Sequence, residues 1–181
     1  DPHHPWDPPR EVARHYRPEE MPLPRYNDPG DLVWPPSLEE RTAYRGEVSA
    51  EVTRRVIAYY YAMVEMIDRS VGHVLDVVQA EGALDDTLFV FCADHGEFLG
   101  DYGLWRKGAY HYDCLIRVPC FMTWTGGQHG GRRVDGLIEE IDLAPTILGR
   151  LGMAPHPGMQ GRDLAPGLAG EEEIGRPFAY T

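Results

Sequence analysis

Asp94 and His95 stand where an apolar run stops. Thr87-Leu88-Phe89-Val90-Phe91-Cys92 is mostly β-branched or aromatic, and within three residues the chain reaches Asp94-His95-Gly96-Glu97. A Gly-rich turn carrying Asp101 follows, and then the cationic pair Arg106-Lys107. A carboxylate beside an imidazole on a short rigid turn can give a divalent cation one oxygen and one nitrogen ligand. Lys107, thirteen residues beyond Asp94, is a compact point charge with three donors, suited to an oxyanion of sulfate or phosphate. The plainer reading is a solvated loop in which Gly96, Gly100 and Gly103 only let the backbone turn. Placement separates the two readings: the pair lies at a strand end, where ligands gather in open α/β sheets.

Several elements must position these residues. The run 87–92 shows no polar alternation, as expected of a parallel strand buried on both faces, with Cys92 as core. Before it, Val52, Val56, Tyr60, Met63, Ile67, Val71, Val74 and Val78 recur at three- and four-residue steps, which predicts one long helix packed against a sheet and stopped at Gly82. Tyr59-Tyr60-Tyr61 and Met63/Met66 read as packing rather than a binding surface, Asp68 as structural, and His73 as a helix histidine rather than a ligand. Leu84-Asp85-Asp86 is the turn between helix and strand. After the loop, Cys120-Phe121-Met122-Thr123-Trp124 predicts a second strand started by Pro119, and Arg117 suits an ion pair better than an anion contact. Gly126 to Gly131 reads as a turn with His129 in solvent, and Val134 to Ile141 as a further short strand. Asp142 suits the N-cap of a helix through Ile147 to Leu151, ended by Gly152.

The first 36 residues hold ten of the sixteen prolines and read as an irregular surface arm, pinned by Trp6, Tyr16, Tyr26 and Trp34. Ser37-Leu38-Glu39-Glu40 has the capping-box pattern that starts a helix near Leu38. At 181 residues the chain can bury one sizeable core, so it is read as one domain over 1–181, with an arm over 1–37 and an α/β portion over 38–181. A formal charge of −12 argues against nucleic acid as a partner, because phosphate neutralisation needs a cationic surface. Cys92, Cys114 and Cys120 have neither disulfide-framework nor thiolate-zinc spacing. No stretch is apolar enough for a membrane span or signal peptide, and the sequence assigns no compartment.

The string Asp94-His95-Gly96-Glu97-Phe98-Leu99-Gly100-Asp101-Tyr102-Gly103-Leu104-Trp105-Arg106-Lys107-Gly108, with Tyr112-Asp113 and Ile116-Arg117-Val118-Pro119, resembles the later half of the sulfatase family. That family belongs to the alkaline phosphatase superfamily and includes arylsulfatases, choline sulfatases and phosphonate monoester hydrolases. The resemblance implies that Asp94 and His95 are metal ligands and that Lys107 contacts the sulfate or phosphonate group. It extends to Pro2-His3-His4-Pro5-Trp6, which is similar to the family's Pro-His-x-Pro-aromatic segment. Read without the family, that segment is a rigid extended piece with two idle histidines; read with it, His3 binds the sulfuryl group or protonates the leaving oxygen. His3 matches better than His4. Tyr16 to Pro24, Met66 to Gly72, Ile141 to Leu148 and Gln160 to Leu164 also resemble the family, as scaffold. Tyr102 departs from it, since histidine is frequent there.

The implied fold is α/β, part of an alkaline-phosphatase-like three-layer sandwich with a mostly parallel sheet and flanking helices. The family's nucleophile lies in a Cys/Ser-x-Pro-x-Arg motif, helped by an upstream acidic pair, and no cysteine or serine here is followed by that pattern. The expectation is therefore a fragment of a metal-dependent hydrolase of small-molecule sulfate monoesters, inactive alone, using Ca2+ or Mn2+. Two alternatives are kept: a phosphonate or phosphate ester hydrolase of the same superfamily, and a noncatalytic sulfatase-like binding module. A sheet with open edges also makes self-association an expectation.

Overall fold

In the computed structural model, residues 2–24, 44–45, 48–124, 131–170 and 173–180 are described. The expected helix start near Leu38, the aromatic anchors Tyr26 and Trp34, and His129 lie outside them. The chain divides into two units: Asp1–Leu84 with His95–Pro119, and Asp85–Asp94 with Cys120–Thr181.

In the first unit the proline-rich arm is more regular than its composition implies. It forms a short helix α1, Arg10–Ala13, and a 3-10 turn, Pro18–Glu20. Two of its expected anchors hold: Trp6 meets Trp105 with ring centroids 6.0 Å apart, and Tyr16 stacks on Tyr61 at 5.9 Å. His15 Nδ1 lies 3.1 Å from the Glu65 carboxylate, and Arg54 donates to the Met21 carbonyl. These contacts lay the arm along α2, Ala50–Ala80, whose first turn is capped by Ser49 accepting from Val52 N–H at 3.3 Å. Glu81 closes the helix and Gly82 follows at φ 68°, where a side chain would be strained.

The helix is as expected in extent, and seven of the eight stripe residues are half-buried, but its fully buried positions lie beside the stripe. Thr53, Ile57, Ala58 and Ala62 are buried, one step off the aliphatic stripe, whereas Val74 and Val77 are exposed. Small side chains allow close approach: a Cβ placed on Gly100 would lie 3.6 Å from Thr53 Cγ2 and 2.9 Å from Pro24 Cγ. Thus arm, helix and loop meet around Thr53, which an aliphatic stripe does not reveal. His73 is exposed, as read from the sequence. The strand pair β1, Tyr44–Arg45, and β3, Leu104–Trp105, is antiparallel, with Tyr44 opposite Trp105. Arg117 pairs with Asp113 at 3.6 Å across α3, Asp113–Ile116, in full solvent exposure.

In the second unit, a 3-10 turn at Leu84–Asp86 leads to β2, Leu88–Cys92, which pairs with β4, Cys120–Trp124. Both strands were expected, but the ladder is antiparallel, Leu88 opposite Trp124 and Cys92 opposite Cys120. An apolar run reports burial and not direction; direction follows from how the chain returns, and here it returns reversed. Nor is β2 buried on both faces: Leu88 to Phe91 are half-buried and Cys92 is exposed. Every ladder among the described residues is antiparallel.

Val134 to Ile141 forms no strand. Gly136 instead lies against the backbone of Ile174, whose carbonyl oxygen would be 1.9 Å from any added Cβ, and Glu140–Asp142 closes into a 3-10 turn. Helix α4 spans Leu143–Arg150 and α5 spans Ala165–Leu168. Asp142 does not cap α4 with its side chain. Wholly buried, its carboxylate accepts from Glu139 N–H at 2.9 Å, from Arg162 N–H at 2.8 Å, and from the Arg176 guanidinium. Thr146 hydroxyl donates to the Asp142 carbonyl at 2.6 Å and accepts from Leu164 N–H at 2.9 Å. The segments Ile141–Leu148 and Gln160–Leu164, both read as scaffold, are therefore stitched to each other.

Candidate active site

The loop from His95 to Lys107 is folded back on itself by backbone hydrogen bonds. Phe98 N–H donates to the Arg106 carbonyl at 3.0 Å, Gly100 N–H to Leu104 at 2.8 Å, and Asp101 N–H to Phe98 at 2.8 Å. Three residues other than glycine hold left-handed backbone conformations here: Leu99 (φ 47°), Tyr102 (φ 58°) and Arg106 (φ 69°). Such angles persist only where surrounding packing overdetermines them, and they concentrate at functional sites. The packing is visible below the loop. Phe98, Leu104 and Leu115 form a buried cluster, covered by Tyr102, Tyr110, Tyr112 and Cys114. Phe98 meets the Tyr110 and Tyr112 rings edge-on, and Tyr102 lies 4.5 Å from Tyr112. The tyrosine that departs from the family pattern is thus part of the aromatic cover.

Gly96 is a steric requirement. Its N–H donates to the Leu115 carbonyl at 2.8 Å, and a Cβ would sit 1.9 Å from the Cys114 carbonyl oxygen. That contact seats the start of the loop on α3 itself. His95, on the exposed side, directs Nδ1–H to the Gly96 carbonyl at 2.9 Å, a contact that fixes the ring's tautomer. Asp94, one peptide bond earlier, ends the segment that follows β2 and is exposed.

The arm brings its histidines to the far end of the same loop. Trp6 packs on Trp105, immediately before Arg106 and Lys107, and His4 meets Trp6 edge-on with centroids 6.3 Å apart. His3 and His4 stack at 4.2 Å, and His3 Nδ1–H donates to the His4 carbonyl at 2.6 Å. Desolvation holds the His4 imidazole below its ordinary basicity, and the charges of Arg106, His3 and Lys107 add to it. Among the described residues, His4 Nδ1 is enclosed without a hydrogen-bond partner. His3 and Lys107, far apart in sequence, therefore share one unit, and the charges of both act on His4 together with that of Arg106.

Glu97 was not singled out by sequence reasoning. Half-buried, it is shifted upward, first by desolvation, with Lys107 among the groups that oppose the shift, and its Oε1 accepts from Phe98 N–H at 3.1 Å. Tyr60 on α2 is raised by burial and then by the Glu97 charge, so the helix reaches the loop at this carboxylate. The only sequence signal was its place in the Asp-His-Gly-Glu string.

The donor chemistry of Asp94 and His95 suits a divalent cation, but two donors are short of a coordination shell. Among the described residues, no group of three or more His, Cys, Asp or Glu side chains converges on one point.

The chain matches the Sulfatase family over residues 1–153. It belongs to that family. Among curated sulfatases, it is 31% identical over 156 residues to an arylsulfatase of Clostridium perfringens, covering 81% of this chain and 31% of that protein. It is 32% identical over 129 residues to the choline-sulfatase of Rhizobium meliloti, covering 70% of this chain and 25% of that one. The structure of the phosphonate monoester hydrolase from Silicibacter pomeroyi superposes with a TM-score of 0.77 at 30% identity, over 94% of this chain and 36% of that one. The α/β fold expected from the resemblance is thereby shown, and the chain spans about a third of the length of these relatives.

Proposed function

We propose that this chain supplies the leaving-group and anion-binding side of a metal-dependent sulfatase that hydrolyses sulfate monoesters of small molecules. The observation that carries the reading is the docking of the His3-His4 arm beside Arg106 and Lys107, through Trp6 on Trp105. It sets the arm's imidazoles beside the cationic end of one strained, well-packed loop.

In this reading Lys107 binds the nonbridging oxygens, whose charge grows as the ester bond breaks. His3 donates a proton to the departing alkoxide or phenoxide, a role an imidazole can fill as general acid. Asp94 and His95 would hold a divalent cation, Ca2+ or Mn2+, which when bound polarises the ester. The Gly96–Leu115 hydrogen bond orients the loop start, and Glu97 helps hold Lys107 in place by its charge. The nucleophile is not among these 181 residues, so the chain alone is expected to turn over no ester.

In an enzyme carrying this chain, Lys107→Ala should lower kcat/KM about 10²–10³-fold on an aryl sulfate, as loss of one oxyanion donor typically does. A change below threefold would refute the assignment. His3→Ala should cost most on esters with poor leaving groups and little on activated ones, measured as a leaving-group dependence of kcat/KM.

A second reading within the superfamily is favoured by the phosphonate monoester hydrolase fold match. The same lysine and histidine serve either tetrahedral anion, so comparing kcat/KM on an aryl sulfate and on a phenyl phosphonate decides between them.

A further inference from the structure

Cys92 and Cys120 stand directly opposite each other at one end of the β2–β4 ladder. The register is supported one position along, where Phe91 and Phe121 stack with centroids 5.0 Å apart and planes 16° from parallel. Directly opposed residues of an antiparallel ladder point to the same face with Cα atoms roughly 4.5–5.5 Å apart, and disulfides span Cα separations of about 4.4–6.8 Å. Both cysteines are free and exposed. The Cys120 thiol is shifted upward by desolvation and then by Cys92, as expected of two sulfurs that face each other.

We propose that Cys92 and Cys120 are a site of reversible disulfide formation, closing segment 93–119, which carries His95 and Lys107, into a covalent loop. The oxidant is a small-molecule disulfide such as oxidised glutathione. The thiolate of one cysteine attacks a glutathione sulfur, forming a mixed disulfide and releasing one glutathione thiolate. The thiolate of the second cysteine attacks the protein sulfur of that mixed disulfide and releases the other. Two protein S–H bonds are lost and one S–S bond forms; two electrons and two protons end on two glutathione thiols. Cys114 is an internal control. Half-buried, its thiol is pushed up to about 11 by desolvation and by the carboxylates of Asp101, Asp113 and Glu97, so it stays protonated and unreactive near neutral pH.

This inference is independent of the proposed reaction and is tested without it. The native protein is equilibrated in glutathione buffers from fully reduced to fully oxidised, quenched in acid, unfolded, alkylated and mapped by peptide mass spectrometry. The expected product is one intramolecular link between the Cys92 and Cys120 peptides, two hydrogens lighter, with Cys114 recovered alkylated and the link reversed by dithiothreitol. The oxidised form should melt higher than the reduced form. Cys92→Ser and Cys120→Ser should each lose the link and stop at a mixed disulfide. Recovery of three free thiols throughout, a link through Cys114, or a disulfide between two chains would each overturn the proposal.

Discussion

His4 stands beside the arm residue that matches the family pattern, yet its surroundings are the more informative. Desolvation and the cations Arg106 and Lys107 favour the neutral ring. Its midpoint, followed by NMR of the ring protons, should lie below the ordinary 6.5 and rise toward it in Arg106→Ala or in high salt. The sign for stability follows. A histidine whose folded pKa is depressed contributes fully above the unfolded value of 6.5 and loses that contribution as pH falls from there toward the folded value. Wild type should therefore lose more stability than His4→Gln between pH 7 and pH 5, measured by urea midpoints; equal losses would remove His4 from the account. The pair Arg106-Lys107 was legible as a cationic step in the sequence. That it lies beside His3 and His4 was not, because more than a hundred residues separate them and tertiary contacts such as Trp6–Trp105 bring the two segments together.

The two turns that hold the loops are set by contacts a sequence pattern does not display. Gly96 reads as any loop glycine, but its Cα faces the Cys114 carbonyl, and Gly96→Ala would force the loop off α3. The expected loss is roughly 3 kcal/mol, the upper part of the range for overpacked sites, read as a lower urea midpoint. A wild-type midpoint would sink this account. Asp142 is legible as a cap from its position before Leu143, whereas its carboxylate in fact bonds to Glu139, Arg162 and Arg176. Removing its cation in Arg176→Met leaves a buried carboxylate unpaired. A loss of about 3–5 kcal/mol is expected, checked by chemical denaturation, and Arg176→Lys should recover part of it. The start of α2, by contrast, follows a rule readable directly: Ser49 precedes the helix and accepts from Val52 N–H.

Across the whole chain, charge and division matter more than any contact. A net charge of −12 repels the phosphate backbone of nucleic acid. Retention of duplex DNA on a filter should stay at background at 150 mM salt; saturable retention would contradict the reading. Among the described residues no helix is long and apolar enough to cross a membrane. The two units each interleave two stretches of sequence, one supplying His95 to Pro119 and the other Cys120 onward. The proline-rich arm and the long α2 lie in the first.

Local chemistry was readable in order along the chain. The strand 88–92, the helix ending before Gly82, the second strand after Pro119, and the Asp-His and Arg-Lys steps all rest on propensity, turn geometry or adjacent residues, which need no distant partner. Strand direction, the fully buried positions of α2, the missing strand at 134–141 and the true partners of Asp142 depend on which remote segment returns to meet each one. Those are properties of packing between segments, and tertiary structure alone decides them.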